Sequence, residues 1–422
     1  MTWLATWIAD KAARRTVLGV ASALRDGELR ARLPGGGTRV FGRPRGEASA
    51  TIEIHRDEFF RRVLHHGEVG FGEAYVDGLW DSDDLVGLLV LAIESRRSVR
   101  LDSGWCALPY RFRDLRLHRA RRNTLDQAKS NIHAHYDLGN EFFSLFLDET
   151  MTYSCGYFAS PADSLADAQR EKYRRVCLQA DLSADDHVLE IGCGWGGFAI
   201  YAAQNYGCRV TCLTISQEQL ALARARISDA GLASLIDVQF CDYRDVTGEY
   251  DKIVSIEMFE AVGAEYFEAF FAACDRALRP GGRLAMQVIT VPDRSFEALR
   301  DGVNWVQKYI FPGGLLPSVA ELERSLRGTS LLVTRLEDIG EHYATTLRHW
   351  RQRFLSHVSA VRSMGFDDRF IRMWEYYLAA SEAGFLTRNT GDLQIVFDKP
   401  GPVSLPQRIE AGQPNAPAAS SV

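Results

Sequence analysis

Hydrophobic and polar positions follow different rhythms in the two parts of this chain. From Thr2 to Leu24, the residues Trp3, Leu4, Trp7, Ile8, Ala12, Arg15 and Leu18 recur at helical spacing, which predicts an amphipathic helix with aromatic residues at one end. Leu33-Pro34-Gly35-Gly36-Gly37 reads as a turn between two short strand-like runs. Ile52 to His55 alternates as a strand, and Phe59 to Leu64 and Leu85 to Ile93 read as helices. From about residue 165, short apolar runs alternate with helical stretches, which predicts a mainly parallel sheet covered on both faces. Its strands are expected at His187–Ile191, Arg209–Leu213, Ile236–Phe240, Asp251–Ile256 and Arg283–Ile289, with Leu331–Leu336 and Leu393–Phe397 completing it. Gln217–Asp229 and Tyr266–Leu278 are two of the intervening helices. The expected division is a small α+β unit over 1–110, an α/β domain over 111–400, and a disordered Pro/Ala/Ser/Gly-rich tail over 401–422.

Composition adds little to that picture, but charge does. The chain has 422 residues, 46% of them hydrophobic, and a formal net charge of -6. No apolar run approaches the ~20 residues that span a bilayer, and Asp10, Lys11, Arg14 and Arg15 interrupt any signal-peptide core. The arginines at 96, 97, 100, 111, 113, 116, 119, 121 and 122 crowd one stretch of an otherwise acidic protein. Together with the N-terminal helix, where Trp3 and Trp7 stand near Lys11, Arg14 and Arg15, they predict peripheral contact with an anionic membrane surface from the cytoplasmic side. A solvated face is the plainer explanation of such a run. The eight cysteines show no paired CxxC spacing, so reduced thiols and no metal are expected.

The strand His187–Ile191 runs into Gly192-Cys193-Gly194-Trp195-Gly196-Gly197, a glycine turn that opens a helix. Such a turn lets the backbone approach a ligand closely. The string satisfies GxGxxG, yet the region about 20 residues on, where a dinucleotide site wants an acid, holds Cys212, Leu213 and Thr214. Glu190 stands two residues before the first glycine, which gives the ExGxGxG pattern of S-adenosylmethionine methyltransferases. The loop after the third strand, Cys241-Asp242-Tyr243-Arg244-Asp245, sits where open α/β sheets bind ligands. There Tyr243 is placed to cover an adenine and Asp242 to accept from its amino group.

Longer segments carry a resemblance. His135–Asn140 (HYDLGN), Met151–Phe158 (MTYSCGYF), the Glu190–Gly197 string, Leu213–Gln219 (LTISQEQ), Glu257–Gly263 (EMFEAVG), Tyr309–Gly314 (YIFPGG) and His342–Leu347 (HYATTL) are similar to the cyclopropane-fatty-acyl-phospholipid synthases, which include the mycolic acid cyclopropane synthases. The resemblance runs from about His133 to Phe397. It implies a Rossmann-like class I S-adenosylmethionine methyltransferase with a smaller α+β N-terminal domain. It further implies cofactor contacts at Tyr153, Ser154, Gly192, Gly194, Gly196, Thr214, Gln219, Tyr243 and Arg244. It implies a bicarbonate ion held by Cys155, Glu260, Gln287, the Ile289 backbone and Tyr343. Many members have His at the positions of Gln287 and Ala261, and several have Cys where this chain has Ser381.

The expected substrate is an unsaturated phospholipid acyl chain in a bilayer, closed to a cyclopropane. Methyl- or methylene-branched chains, furan fatty acid precursors among them, are the neighbouring outcome, and a non-catalytic lipid-binding relative is the rival of another class. Homodimerisation is admitted by the sequence. A nucleic-acid substrate is not expected, since no Asn-Pro-Pro-Tyr type base-flipping motif is present. Tyr157, Phe158, Tyr309 and Phe311 are candidates to line an aromatic cavity.

Overall fold

A computed structural model describes residues 3–25, 27–43, 49–98 and 138–401. The N-terminal unit begins with α1 (Trp3–Ala21) and a small sheet of β1 (Gly27–Arg32), β2 (Thr38–Arg43), β3 (Ser49–Ile54) and β4 (Trp80–Asp81), in the order β2-β1-β3-β4. β1 pairs antiparallel with β2 across the predicted glycine turn and parallel with β3. Helices α2 (Glu58–Val76) and α3 (Leu85–Ser98) follow. Three glycines, at 67, 70 and 72, break the apolar rhythm of α2, so the sequence pattern showed only its first turns. The side chains of Trp3 and Trp7, the arginine cluster and the tail from residue 402 lie outside what the structure describes. Among the described residues no helix is long and apolar enough to cross a membrane.

The second unit opens with α4 (Gly139–Ser144) and α5 (Leu165–Ala180). Ser164 and Asp167 form a reciprocal capping box at the start of α5, a device worth about 1 kcal/mol. Strand and helix then alternate: β5 (His187–Ile191), α6 (Gly197–Tyr206), β6 (Arg209–Thr214), α7 (Gln217–Asp229), β7 (Ile236–Phe240), β8 (Tyr250–Ile256), α8 (Phe267–Ala277) and β9 (Leu278–Thr290). Short helices α9 (Asp293–Arg300), α10 (Trp305–Tyr309) and α11 (Val319–Ser325) precede β10 (Leu332–Asp338). Helices α12 (Gly340–Ser356), α13 (Val358–Ser363) and α14 (Asp368–Leu386) lead to β11 (Gly391–Asp398). The sheet order is β10-β11-β9-β8-β5-β6-β7. Strands β5 to β9 are parallel, and β11 runs antiparallel between β9 and β10. Every strand predicted from the alternation is present, some with boundaries shifted by a residue or more.

Alternation within these strands sorts side chains to two faces. Leu189, Ile253, Leu284, Met286, Val288 and Ile395 face one core, with α8 and α11 over it. Val188, Val210, Cys212, Val254 and Ala285 face another, under α5, α6 and α7. Glu190, Gln287, Asp392 and Gln394 share the parity of the second face. There Gln179 of α5 donates to Gln394, Gln394 to Gln287 and Gln287 to Asp392, so a polar stripe runs between helix and sheet.

The N-terminal unit and helices α12 and α14 share a third core that includes Trp80, Trp305, Trp350 and Trp374, all nearly fully buried. Polar contacts tie the same junction. Tyr75 Oη donates to Glu375, Lys308 Nζ and Tyr309 Oη donate to Glu73, and Arg372 reaches the Tyr75 and Trp80 carbonyls.

Candidate active site

The parallel strands bring their carboxyl ends to one edge, and the turn after β5 lies in its middle. The Gly192 and Cys193 amides both donate to the Leu213 carbonyl, which anchors the turn to β6. Gly192 has φ +83°, and a Cβ there would meet Met258 at 2.5 Å. Gly194 has φ +53°, and a Cβ there would meet no protein atom within 4 Å. The first glycine therefore serves packing, and the second offers bare backbone to a ligand. That cradle fits a nucleoside cofactor at the start of a helix.

Around it, Thr214 Oγ donates to Gln219 Oε1 at 2.9 Å, and Ser216 caps α7. Glu190 is buried beneath the turn, where its carboxyl accepts from Cys212 Sγ at 3.4 Å. Asp242 accepts from Arg244 through both carboxylate oxygens, at 2.8 and 2.7 Å, and caps the following turn. The Tyr243 ring packs edge-on against Phe270 in the core, centroids 5.3 Å apart. The Arg244 guanidinium lies over Tyr266. Gly196, with φ +81°, sits over Ala223 of α7.

The segment 150–156 crosses this edge. It passes the start of α6, where a Cβ on Gly197 would lie 2.9 Å from the Thr150 carbonyl. It reaches β8 and β9, where the Cys155 amide donates to Glu257 Oε1 at 2.8 Å. Tyr153 Oη pairs with Tyr377 Oη at 2.9 Å, and its ring lies against Phe143 and Trp350. Ser154 is buried, its hydroxyl taking a 2.6 Å hydrogen bond from Lys172 Nζ and its carbonyl one from Gln169.

Beyond the turn lies a buried polar cluster. Glu257 Oε1 accepts from Gln287 Nε2 at 2.8 Å, and Glu257 Oε2 accepts from Tyr343 Oη at 2.5 Å. Glu257 also has φ +48°, a conformation worth about 1–3 kcal/mol of strain in a non-glycine residue. Such outliers persist where surrounding bonds over-determine them, as four hydrogen bonds to this residue do. Gln287 Nε2 is shared with Asp392 Oδ2 at 3.1 Å and the Cys155 carbonyl at 3.3 Å, while its Oε1 accepts from Gln394. Glu260 Oε1 accepts from the Ile289 amide at 2.5 Å, and Glu260 Oε2 is buried with no protein partner among the described residues. The Cys155 thiol turns to the Gly156 carbonyl at 3.1 Å.

Burial controls the charge here. It pushes Glu260 up to about 8, helped by the neighbouring Glu257 carboxylate. It also raises Glu257 and Asp392, and it lowers Lys172 to about 8. Burial, helped by the neighbouring Asp392 and Glu257 carboxylates, pushes the Cys155 thiol far up, so Cys155 is not a thiolate.

The five residues singled out for the anion thus converge on one cluster. Ile289 and Tyr343 spend their donors on Glu260 and Glu257. Sequence reasoning missed Glu257 as a site residue, although its place just after a strand at the carboxyl edge was a signal. It also missed Asp392, which register pairing sets opposite Ile289, and Lys172. Of the four aromatic candidates, Phe311 lies beside Tyr153 and Tyr377. Tyr309 turns to Glu73, Tyr157 lies under Arg175 and against His342, and Phe158 stacks on His349.

Glu190 gives a pH test. Burial holds its carboxyl up at about 8, from an ordinary 4.5. The folded chain therefore keeps a proton that the unfolded chain releases above pH 4.5, and this contribution to stability is lost as pH rises through about 8. The melting temperature of Glu190→Gln, measured against wild type, should improve steadily from pH 4.5 to about 8 and then level off. A difference that is flat with pH would mean that Glu190 is already ionised in the fold.

The doubly wound sheet with its glycine turn and helix start defines a class I S-adenosylmethionine-dependent methyltransferase. The chain matches the family described as mycolic acid cyclopropane synthetase over residues 123–395, and it belongs to that family. It is 44% identical over 363 residues to the tuberculostearic acid methyltransferase of Mycobacterium tuberculosis, covering 83% of this chain and 84% of that protein. It is 37% identical over 358 residues to the cyclopropane-fatty-acyl-phospholipid synthase of Escherichia coli, covering 84% and 89%. Among solved structures, a mycolic acid cyclopropane synthase complexed with SAH and CTAB matches with TM-score 0.60 and 27% identity, over 64% of this chain and 98% of that one.

Proposed function

We propose that this enzyme transfers the methyl carbon of S-adenosylmethionine to the double bond of an unsaturated phospholipid acyl chain and closes it to a cyclopropane. The observation that carries this reading is Glu260, just beyond β8, whose Oε1 is held by the Ile289 amide of β9 and whose buried Oε2 has no partner among the described residues. Aromatic pairs stand in the same part of the fold: Tyr343, which donates to Glu257, stacks on Phe385, Tyr153 lies beside Trp350, and Phe311 lies beside Tyr377. An alkene is a weak nucleophile, so it needs an electrophile held close and in line; the bound sulfonium supplies that methyl. The π electrons of the double bond form the new carbon–carbon bond, and the broken sulfur–carbon bond leaves its pair on sulfur. A positive charge then stands on the acyl chain. The aromatic faces steady that charge, and the dry cluster keeps water from capturing it. Loss of a proton from the transferred carbon closes the ring.

Bicarbonate fits as the group that takes this proton. With a pKa of about 8, Glu260 holds a proton through much of the neutral range and can donate from Oε2 to a small anion. Two bare negative charges would repel, so the protonated form is the one suited to this task.

A second reading has specific support. The Gln287 amide cannot take up a proton, and one relative is named a tuberculostearic acid methyltransferase. A 1,2-hydride shift that moves the charge to the carbon bearing the new methyl, followed by loss of a proton from that methyl, would form an exocyclic double bond and give a methylene branch instead. Both products add one CH2 unit, but the branch is reduced by mild catalytic hydrogenation and the ring is not. The test is incubation of the full chain with cofactor and anionic vesicles of a monounsaturated phospholipid, followed by hydrogenation and mass spectrometry of the acyl esters. A ring that resists reduction is expected. A product that reduces overturns ring closure but keeps methyl transfer, and no product overturns both. We further propose that the 1–110 unit and the arginine cluster bring the enzyme to the membrane surface as a peripheral protein, alone or as a dimer. The yield should then fall as salt screens the surface over ~8 Å at physiological strength.

A further inference from the structure

Lys172 has no role in the chemistry above, yet it is 0% exposed, in a fold where lysine is rarely buried without a purpose. It stands in α5 on the face that backs the carboxyl edge, one turn from Gln169. Both residues grip Ser154: Gln169 Nε2 holds the Ser154 carbonyl at 2.8 Å, and Lys172 Nζ reaches the Ser154 hydroxyl at 2.6 Å. An ammonium group only donates. Ser154 Oγ is therefore an acceptor toward Lys172, and its own hydrogen must point elsewhere. Next to Ser154 on either side, Tyr153 is tied to Tyr377 and the Cys155 amide to Glu257, so the segment is held in one position across the edge. A hydroxyl with a cation behind it and its hydrogen turned away is a donor suited to an anion.

We propose that Lys172 is a positioning residue that makes Ser154 a fixed donor to the α-carboxylate of S-adenosylmethionine. The proposal rests on the cofactor lying at the glycine turn, and it names the group that recognises the amino-acid end. That end must be held if the sulfonium is to stay in line with the double bond, since a shift of about 1 Å can cost on the order of 100-fold in rate.

The experiment compares two ligands by calorimetry on the full chain. S-adenosylhomocysteine carries the carboxylate, and methylthioadenosine keeps the adenosine and the sulfur but lacks the amino-acid end. Lys172→Met should weaken S-adenosylhomocysteine about 10-fold or more while changing methylthioadenosine less than about 2-fold. Ser154→Ala should show the same selective loss, and the double variant should add little to it, because the two residues act through one hydrogen atom. Equal weakening of both ligands by Lys172→Met would show a merely structural lysine and overturn the proposal. If that variant does not fold, Ser154→Ala decides alone: an unchanged ratio of the two affinities overturns it. Wild type that binds neither ligand would overturn the cofactor placement itself, a failure distinct from loss of selectivity.

Discussion

Gly194→Asp should leave the protein folded and remove cofactor binding. The residue sits at φ +53°, a left-handed conformation that aspartate tolerates better than most side chains, at a cost of about 1 kcal/mol. A Cβ at this position touches nothing in the protein, so packing does not resist the change. What the new side chain fills is the cradle over the turn, and it brings a negative charge into a partly enclosed site. An unpaired charge placed against a ligand costs several kcal/mol, so affinity for S-adenosylhomocysteine should fall by at least about 100-fold. Gly192→Ala is the contrasting case. Its Cβ would press on Met258 Cγ and Cβ at 2.5 and 2.7 Å, and its φ is +83°, so that variant should lose thermal stability first. Calorimetry and a melting curve on each variant separate the two. Unchanged affinity in folded Gly194→Asp would place the nucleoside elsewhere.

The parallel sheet was legible because its strands are short apolar runs between helical stretches, and because the glycine turn follows one of them directly. The polar stripe under α5 was much harder to read. In that helix Gln169, Lys172 and Gln179 point inward, so a pattern that sends polar residues to solvent turns the helix the wrong way. These residues are buried because partners on other elements receive them: Ser154 accepts from Gln169 and Lys172, and Gln394 accepts from Gln179. Asp392 was hidden for a similar reason. It precedes an apolar run like any strand-entry residue, and only the antiparallel insertion of β11 beside β9 carries it to Ile289. Motif resemblance found the residues that converge on the cluster. It did not show that Glu257 organises them, since that role follows from a positive φ and four hydrogen bonds.

Glu260→Gln and Tyr343→Phe should each lower turnover by about 100-fold or more while leaving cofactor affinity near wild type. Glu260→Gln keeps the volume, and its amide oxygen can still accept from the Ile289 amide. What changes is the second atom, which in wild type is the unpartnered Oε2. A carboxyl there gives up or takes a proton near pH 8, and an amide does neither. If Glu260 acts as the protonated holder of an anion, wild-type activity falls as pH rises through about 8, and the Gln variant loses that fall. The Gln variant still donates through its amide, so added bicarbonate should restore part of its rate.

Tyr343→Phe tests the other side of the cluster. The ring keeps its stack on Phe385, centroids 4.4 Å apart, so the packing survives. The loss is the hydroxyl that donates to Glu257 Oε2 at 2.5 Å, one of the influences that counter the effect of burial on that carboxyl. Without it Glu257 is held further toward its neutral form and its grip on Gln287 and the Cys155 amide loosens. Bicarbonate should therefore rescue Tyr343→Phe less than Glu260→Gln, because the fault lies in the frame and not in the anion's affinity. The measurement is product per enzyme on unsaturated phospholipid vesicles, across pH 6 to about 9, with and without added bicarbonate. Near wild-type rates from both variants would remove the proposed base site and leave the methyltransferase fold with its cofactor turn.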